Sequence, residues 1–288
     1  MGFKLQTIKD IKLYLATELE SVYPSQEIEA IGRIITSHVT GYQKLYQIHD
    51  PGLIITEEEQ NRIEEICREL KTGKPLQYIT GETYFYDCLI KVNRSALIPR
   101  PETEELVDLI IRENRDFKGK ITDIGTGTGC IAIALSINLP LAEVTGTDIS
   151  DDAIILARQN ALLNKANVKF VKNNILGEYE PAINKSDLIV SNPPYVRDSE
   201  KQFMNRNVLD FEPAGALFVD DSDPLLFYRA ILKKAERMLL PKGKIYFEIN
   251  EALGDEMVEL LQFFNYRDVE KIKDLNGRDR IIKGRKNE

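Results

Sequence analysis

The run Asp187-Leu188-Ile189-Val190-Ser191 ends on Asn192-Pro193-Pro194-Tyr195, and these four residues could do chemistry. Neither proline can donate a ladder hydrogen bond, so a strand stops there and presents Asn192 at its carboxyl edge, where open α/β sheets hold ligands. The Asn192 side-chain carbonyl and the Pro193 backbone carbonyl can together accept both hydrogens of a planar NH2 group. The Tyr195 ring can cover the flat face of whatever carries that group. Such a pocket suits methyl transfer to an amide or an exocyclic amine. On these residues alone, an ordinary Asn-Pro turn at a strand end is the alternative.

A second constellation lies upstream. Thr122-Asp123-Ile124-Gly125-Thr126-Gly127-Thr128-Gly129 joins an apolar strand to a helix starting near Cys130. Glycines there let the backbone turn tightly and approach a ligand closely. A dinucleotide fingerprint needs glycine at position 130, which is Cys, and no Lys-Ser or Lys-Thr follows to make a phosphate loop. The spacing favours S-adenosyl-L-methionine over NAD or ATP. Asp148, at the end of the next strand, is placed to accept from both ribose hydroxyls.

The elements that position these residues fall into three stretches. Residues 1–72 carry helical periodicity only. Leu5, Ile8, Ile11, Leu15 and Leu19 share a face, as do Ile28, Ile31, Ile34 and Ile35, and Thr56-Glu57-Glu58-Glu59 makes a capping box before Ile63, Ile66 and Leu70. This predicts a small helical domain. Residues 73–96, punctuated by Gly73, Pro75 and Gly81, read as a β-hairpin linker. From Leu97 a helix is predicted to start, and strands and helices then alternate through 97–288, implying parallel strands joined by right-handed crossovers. Predicted strands at Val269–Lys273 and Arg280–Lys283 flank Asn276-Gly277, a strong hairpin signal. The fold expected is α/β, a Rossmann-like sheet ending in an antiparallel hairpin.

Composition narrows the function. Forty-six Asp plus Glu against 38 Lys plus Arg give a formal charge of −8, which argues against a partner that is mostly phosphate backbone. Cys67, Cys88 and Cys130 show no CxxC pairing, and His38 and His49 lie outside the motif region. Neither a disulfide framework, a metal centre nor a Ser-His-Asp triad is expected. The start has no apolar signal region and no long apolar run follows, so a cytoplasmic protein without membrane attachment is expected.

Taken together, these residues resemble the protein-(glutamine-N5) methyltransferase family known as PrmC or HemK. The resemblance covers nearly the whole chain. It includes the linker Gly73-Lys74-Pro75-Leu76-Gln77-Tyr78-Ile79-Thr80-Gly81, the run Leu97-Ile98-Pro99-Arg100-Pro101-Glu102-Thr103-Glu104, the glycine loop and Asn192 to Tyr195. Phe211-Glu212-Pro213 and Asp274-Leu275-Asn276-Gly277-Arg278-Asp279-Arg280 complete it. Asn-Pro-Pro-Tyr alone is shared with adenine-N6 and guanine-N2 methyltransferases of nucleic acid, the competing assignment, but the first two segments are far more selective. The resemblance implies a class I S-adenosylmethionine-dependent methyltransferase, expected to be monomeric, acting on the Gly-Gly-Gln glutamine of class I peptide-chain release factors with no direct nucleic-acid partner. It implies that Gly125, Thr126, Gly127, Thr128 and Gly129 line the methionine and ribose of the cofactor. Asp148 would hold the ribose, Asn192 would touch cofactor and substrate, and Pro193, Pro194 and Tyr195 would complete the glutamine pocket. At the adenine, the family usually has an acid followed by an aromatic or apolar residue, and this chain has Asn174-Ile175. An Asn carbonyl still accepts from the adenine amino group. Asn250 stands where a glycine is more usual.

Overall fold

The computed structural model describes residues 5–41, 50–178 and 185–288. His49 and the first four residues lie outside that set. Two compact units are present, one holding residues up to Gly81 together with Asn205–Phe211, the other Glu82–Met204 with Glu212–Glu288.

In the first unit, α1 (Ile8–Leu19) opens on a reciprocal capping box between Thr7 and Asp10, and α3 (Glu57–Lys71) repeats the device with Thr56 and Glu59. Between them α2 (Ser25–Thr40) ends on Gly41 at φ 71°, a left-handed cap that a side chain would strain. Ile8, Ile11, Leu15, Leu19, Ile28, Ile31, Ile35, Ile63, Ile66 and Leu70 form one core. Ile34, expected on the buried face, is 49% exposed. It lies about 100° of helix from Ile35, past the edge of the apolar stripe. The short helix α4 (Leu76–Thr80) belongs to this unit, whereas the hairpin β1 (Glu82–Phe85) and β2 (Cys88–Lys91) belongs to the second. Tyr86 and Asp87 turn that hairpin with φ of 45° and 62°, the two positive values a tight two-residue turn requires.

The second unit alternates as expected. Helix α5 (Pro101–Glu113) starts at Pro101 rather than Leu97, because Pro99 and Pro101 hold the residues before them extended and Pro101 fits the first helical position. Then follow β3 (Lys120–Ile124), α6 (Cys130–Asn138), β4 (Glu143–Asp148), α7 (Asp151–Leu163), β5 (Val168–Lys172) and β6 (Ser186–Ser191). After these come β7 (Val196–Arg197), β8 (Phe218–Val219), α9 (Leu226–Met238), β9 (Leu239–Glu248), α10 (Gly254–Phe263), β10 (Tyr266–Lys273) and β11 (Asp279–Lys286), while α8 (Arg206–Phe211), between β7 and β8 in the chain, belongs to the first unit. Among the described residues the large sheet has seven strands in the order β10-β11-β9-β6-β3-β4-β5. Strands β9, β6, β3, β4 and β5 run parallel to one another, while β11 pairs antiparallel with both β9 and β10.

Two details position the site. The chain winds outward from β3 to β4 and β5, then returns to place β6 on the other side of β3, so β3 and β6 flank the switch point where such sheets open a crevice at their carboxyl ends. The hairpin is tied to α7 by two asparagines one helical turn apart. Asn160 and Asn164 each exchange backbone-like hydrogen bonds with Lys91 and Leu89, 2.8–3.1 Å long, and so occupy an edge of β2 that would otherwise face nothing.

Candidate functional site

The glycine loop leaves β3 at the switch point with Gly125, Gly127 and Gly129 at φ 73°, 54° and 82°. This left-handed run folds the loop back on the strand ends, so Gly125 and Thr126 both donate their N–H to the Thr147 carbonyl at 2.8 Å. A Cβ on Gly129 would lie 3.1 Å from Ala157 and Phe170, whereas one on Gly125 would meet nothing within 4 Å. The loop is packed on one side and open on the other. Thr126 and Thr128 are buried, and Thr126 Oγ1 donates to Asp123 at 2.5 Å. Asp148 accepts from the Gly127 N–H and the Ser150 N–H, both at 2.9 Å, which holds its carboxylate beside the loop. A carboxylate has about four acceptor sites, so capacity remains for hydroxyl donors.

Two buried acceptors, on Asp123 and Asn173, lack a donor among the described residues. Asp123 is fully buried, one of its oxygens lacks a hydrogen-bond partner of good geometry, and burial raises its carboxyl to about 7. The Thr126 hydroxyl and the Ala132 backbone N–H offset that only in part. After β5, the sequence pointed to Asn174, which is exposed and spends its side-chain oxygen on the Leu176 N–H at 3.0 Å. Its neighbour Asn173 is the buried residue, with Oδ1 unpartnered and its N–H on the Asp148 carbonyl at 2.8 Å. Ile175 packs against the sheet core. S-adenosyl-L-methionine offers donors along its length, an ammonium, ribose hydroxyls and an adenine amine, and these acceptors match it. A phosphate-bearing cofactor would meet two acids at the loop. Burial pushes the Cys130 thiol up to about 12, so it is no nucleophile.

Across the crevice, β6 ends at Ser191, whose hydroxyl donates to the Ile124 carbonyl at 2.6 Å and locks the two strand ends together. Asn192 follows, half-buried, and its Nδ2 donates to Thr103 Oγ1 at 3.1 Å. Among the described residues no donor reaches Asn192 Oδ1 or the Pro193 carbonyl. Pro193 is buried and Pro194 half-buried. Tyr195 turns its hydroxyl inward to donate to Glu248 at 3.0 Å. Burial and then the Glu248 charge raise its pKa, so it acts as a donor and never as a base.

Sequence reasoning missed the residues behind this turn. Glu248, 1% exposed at the end of β9, accepts from Thr103 Oγ1 at 2.7 Å and from Tyr195. Burial raises its pKa, while the Thr103 and Tyr195 hydrogen bonds and the Arg280 charge pull it back. Glu212, its side chain 1% exposed, accepts from the Ile98 N–H at 3.2 Å and from Arg100 at 2.5 Å, and so pins the extended Leu97–Arg100 segment. The acid inside the apolar run Ile245-Tyr246-Phe247-Glu248-Ile249 was the available signal for Glu248. Asn250, unexplained by sequence, caps the Ala252 N–H at 2.9 Å and donates to the Tyr195 carbonyl and the Glu200 carboxylate, clamping the far side of the turn.

A glycine loop beside acceptors that lack donors, with two carbonyls free of donors among the described residues at the end of the next strand across the switch point, is the arrangement of a class I methyltransferase. Known proteins agree. Residues 103–219 match the methyltransferase small domain, and residues 13–81 match the PrmC N-terminal domain. The release factor glutamine methyltransferase of Flavobacterium psychrophilum is 45% identical over 280 residues, 96% of this chain and 98% of that protein. The enzyme of the same name from Bacteroides thetaiotaomicron is 43% identical, covering 94% and 98%. A solved methyltransferase from Pyrococcus furiosus, 19% identical, superposes with a TM-score of 0.52 over 81% of this chain and 100% of its own. That last likeness shows the fold alone. The chain belongs to the release factor glutamine methyltransferase family, and its methyl donor is S-adenosyl-L-methionine. No helix among the described residues is long and apolar enough to cross a membrane.

Proposed function

We propose that this enzyme methylates the side-chain amide nitrogen, N5, of the glutamine in the Gly-Gly-Gln motif of class I peptide-chain release factors, and so supports translation termination. The observation that carries the proposal is the Asn192 amide, which gives its NH2 to Thr103 and leaves Oδ1 as an acceptor beside the Pro193 carbonyl. A substrate NH2 has two hydrogens for those two oxygens. The bound cofactor supplies an electrophilic methyl on a sulfonium, which leaves as a neutral thioether.

The protein's task is to make a poor nucleophile adequate. An amide lone pair is delocalised into its carbonyl. Acceptors holding both N–H groups favour pyramidal nitrogen and aim the lone pair, and they stabilise the positive charge that develops as the new N–C bond forms. Once the amide is methylated its extra proton is strongly acidic and passes to water, so no strong base is required. Gly125 to Gly129 and Asp148 are assigned to the methionine and ribose portions of the cofactor. Asn173, Asn174 and Ile175 are assigned to the adenine, and Asn192 to Tyr195 to the glutamine pocket.

The helical unit is assigned to docking, since a glutamine on a folded protein reaches a deep pocket only if the rest of that protein binds too. We further propose a cytoplasmic monomer with no direct nucleic-acid contact, a reading that the acidic charge balance supports. The test is transfer of labelled methyl to a purified release factor, to a short Gly-Gly-Gln peptide, to the factor with that glutamine replaced, and to bare nucleic acid. Label on the intact factor, far less on the peptide and none on the last two is expected. Label on nucleic acid refutes the assignment.

A further inference from the structure

We propose that Thr103 and Glu248 are positioning residues that set which way round the Asn192 amide faces, and thereby make the pocket accept an amide NH2. The inference rests on the reading of Asn192 as the amide-holding residue. An Asn side chain has an oxygen and an NH2 of nearly the same shape, so its role depends on what fixes the flip. Here the fixing runs inward from the crevice in three steps. Asn192 Nδ2 meets Thr103 Oγ1 at 3.1 Å, Thr103 Oγ1 meets Glu248 Oε2 at 2.7 Å, and Glu248 Oε1 meets the Tyr195 hydroxyl at 3.0 Å. An ionised carboxylate only accepts, so in that form Glu248 claims the single hydroxyl hydrogen of Thr103. Thr103 can then only accept from Asn192, which must present NH2 inward and Oδ1 outward.

The reverse order is costly. If Thr103 donated to Asn192 Oδ1, Glu248 would keep one donor instead of two in a buried site, and a buried charge short of hydrogen bonds is strongly disfavoured. The flipped amide would also set NH2 against the NH2 of a substrate. Because the same flip would welcome a carboxylate, the inward chain is what makes the pocket discriminate glutamine from glutamate, two side chains of equal size. Thr103 is 3% exposed and Glu248 1%, so both act through Asn192 rather than on the substrate.

The full-length enzyme with Thr103→Val, Thr103→Ser, Glu248→Gln, Asn192→Ala and the Asn192→Ala/Thr103→Val double variant tests this in single-turnover methylation of a release factor. Calorimetric titration with S-adenosylhomocysteine is run on each variant. Valine removes the hydroxyl at constant shape. In Glu248→Gln the new amide can keep Tyr195 on its oxygen and donate to Thr103 with its NH2, which sends the Thr103 hydrogen to Asn192 Oδ1 and turns the Asn192 amide round.

Thr103→Val and Glu248→Gln are each expected to slow methyl transfer roughly tenfold with cofactor affinity within about twofold, and Thr103→Ser to restore most of the rate. The decisive outcome is non-additivity, with Thr103→Val costing nothing further once Asn192 is Ala. If Thr103→Val and Glu248→Gln leave the rate intact while Asn192→Ala does not, or if the losses add, the positioning role is refuted and the amide-holding reading survives. If Asn192→Ala itself is harmless, that underlying reading fails instead. Should Thr103→Val bind no cofactor, Glu248→Gln and Thr103→Ser decide by the same criteria.

Discussion

Replacing Asn192 by Ala removes one of two acceptors proposed to hold the substrate amide, and its size can be worked from the site. On the stability side, the side chain makes one hydrogen bond among the described residues, to Thr103, and Thr103 keeps its bond to Glu248. The loss is therefore about 1 kcal/mol, a fall of about 2–4 °C in melting temperature for a chain of this size. On the catalytic side, deleting one preorganised group that meets charge as it develops costs about 2.7–4 kcal/mol. The Pro193 carbonyl remains, so the low end applies, roughly a hundredfold in rate. Single-turnover transfer from radiolabelled cofactor, with enzyme in excess over release factor, isolates the methyl-transfer step from product release. A rate within a few-fold of wild type, in a variant that still melts cooperatively, would falsify the two-acceptor mechanism.

Three further perturbations separate the parts of the site. Asp148→Ala should weaken S-adenosylhomocysteine binding by about 1.5–3 kcal/mol in calorimetry with little change in rate at saturating cofactor, and unchanged affinity would move the ribose elsewhere. Gly129→Ala puts a Cβ at φ 82° and 3.1 Å from Ala157 and Phe170; a loss of about 1–3 kcal/mol in urea denaturation is expected, and an unaltered midpoint would mean the loop is not packed as described. The Asp123 carboxyl is raised to about 7 by burial, so between about pH 4 and about pH 7 the native chain holds a proton that the unfolded chain has released, and stability falls as pH rises. Asp123→Asn lacks that titration. Its melting temperature relative to wild type should climb across the same window in ligand-free protein, and a flat difference would show that Asp123 ionises normally.

What the sequence exposed was local. Glycines that need positive φ, prolines that stop a strand, the Thr56 capping box and the Asn276-Gly277 turn each depend on a few adjacent residues, and all sit where their chemistry puts them. The residues left unread are held by partners far along the chain. Thr103, between two glutamates in a first helical turn, reads as an ordinary helix-entry residue until Glu248 is found 145 positions away. Glu212 likewise means little without Ile98 and Arg100. Asn173 and Asn174 are indistinguishable by type, and only the short turn to Leu176 shows which one faces outward. The segments β7, α8 and β8 are too short for either hydrophobic period to declare them.

The same separation in sequence orders the birth of the site. The side-chain hydrogen bonds onto the glycine loop close within a few tens of residues, Thr126 to Asp123 across 3, Gly127 to Asp148 across 21 and Asn160 to Thr128 across 32. The acceptor wall closes only across 89 residues, from Asn192 to Thr103, and across 145, from Thr103 to Glu248. Loop-closure entropy delays such long-range pairings, and a ribosome delivers their halves many seconds apart at ordinary elongation rates. A nascent chain can therefore close its glycine loop onto Asp148 before Glu248 has been synthesised. The Thr103–Glu248 bond behind Asn192 comes later, when β9 adds to β6 and carries the acid into the sheet.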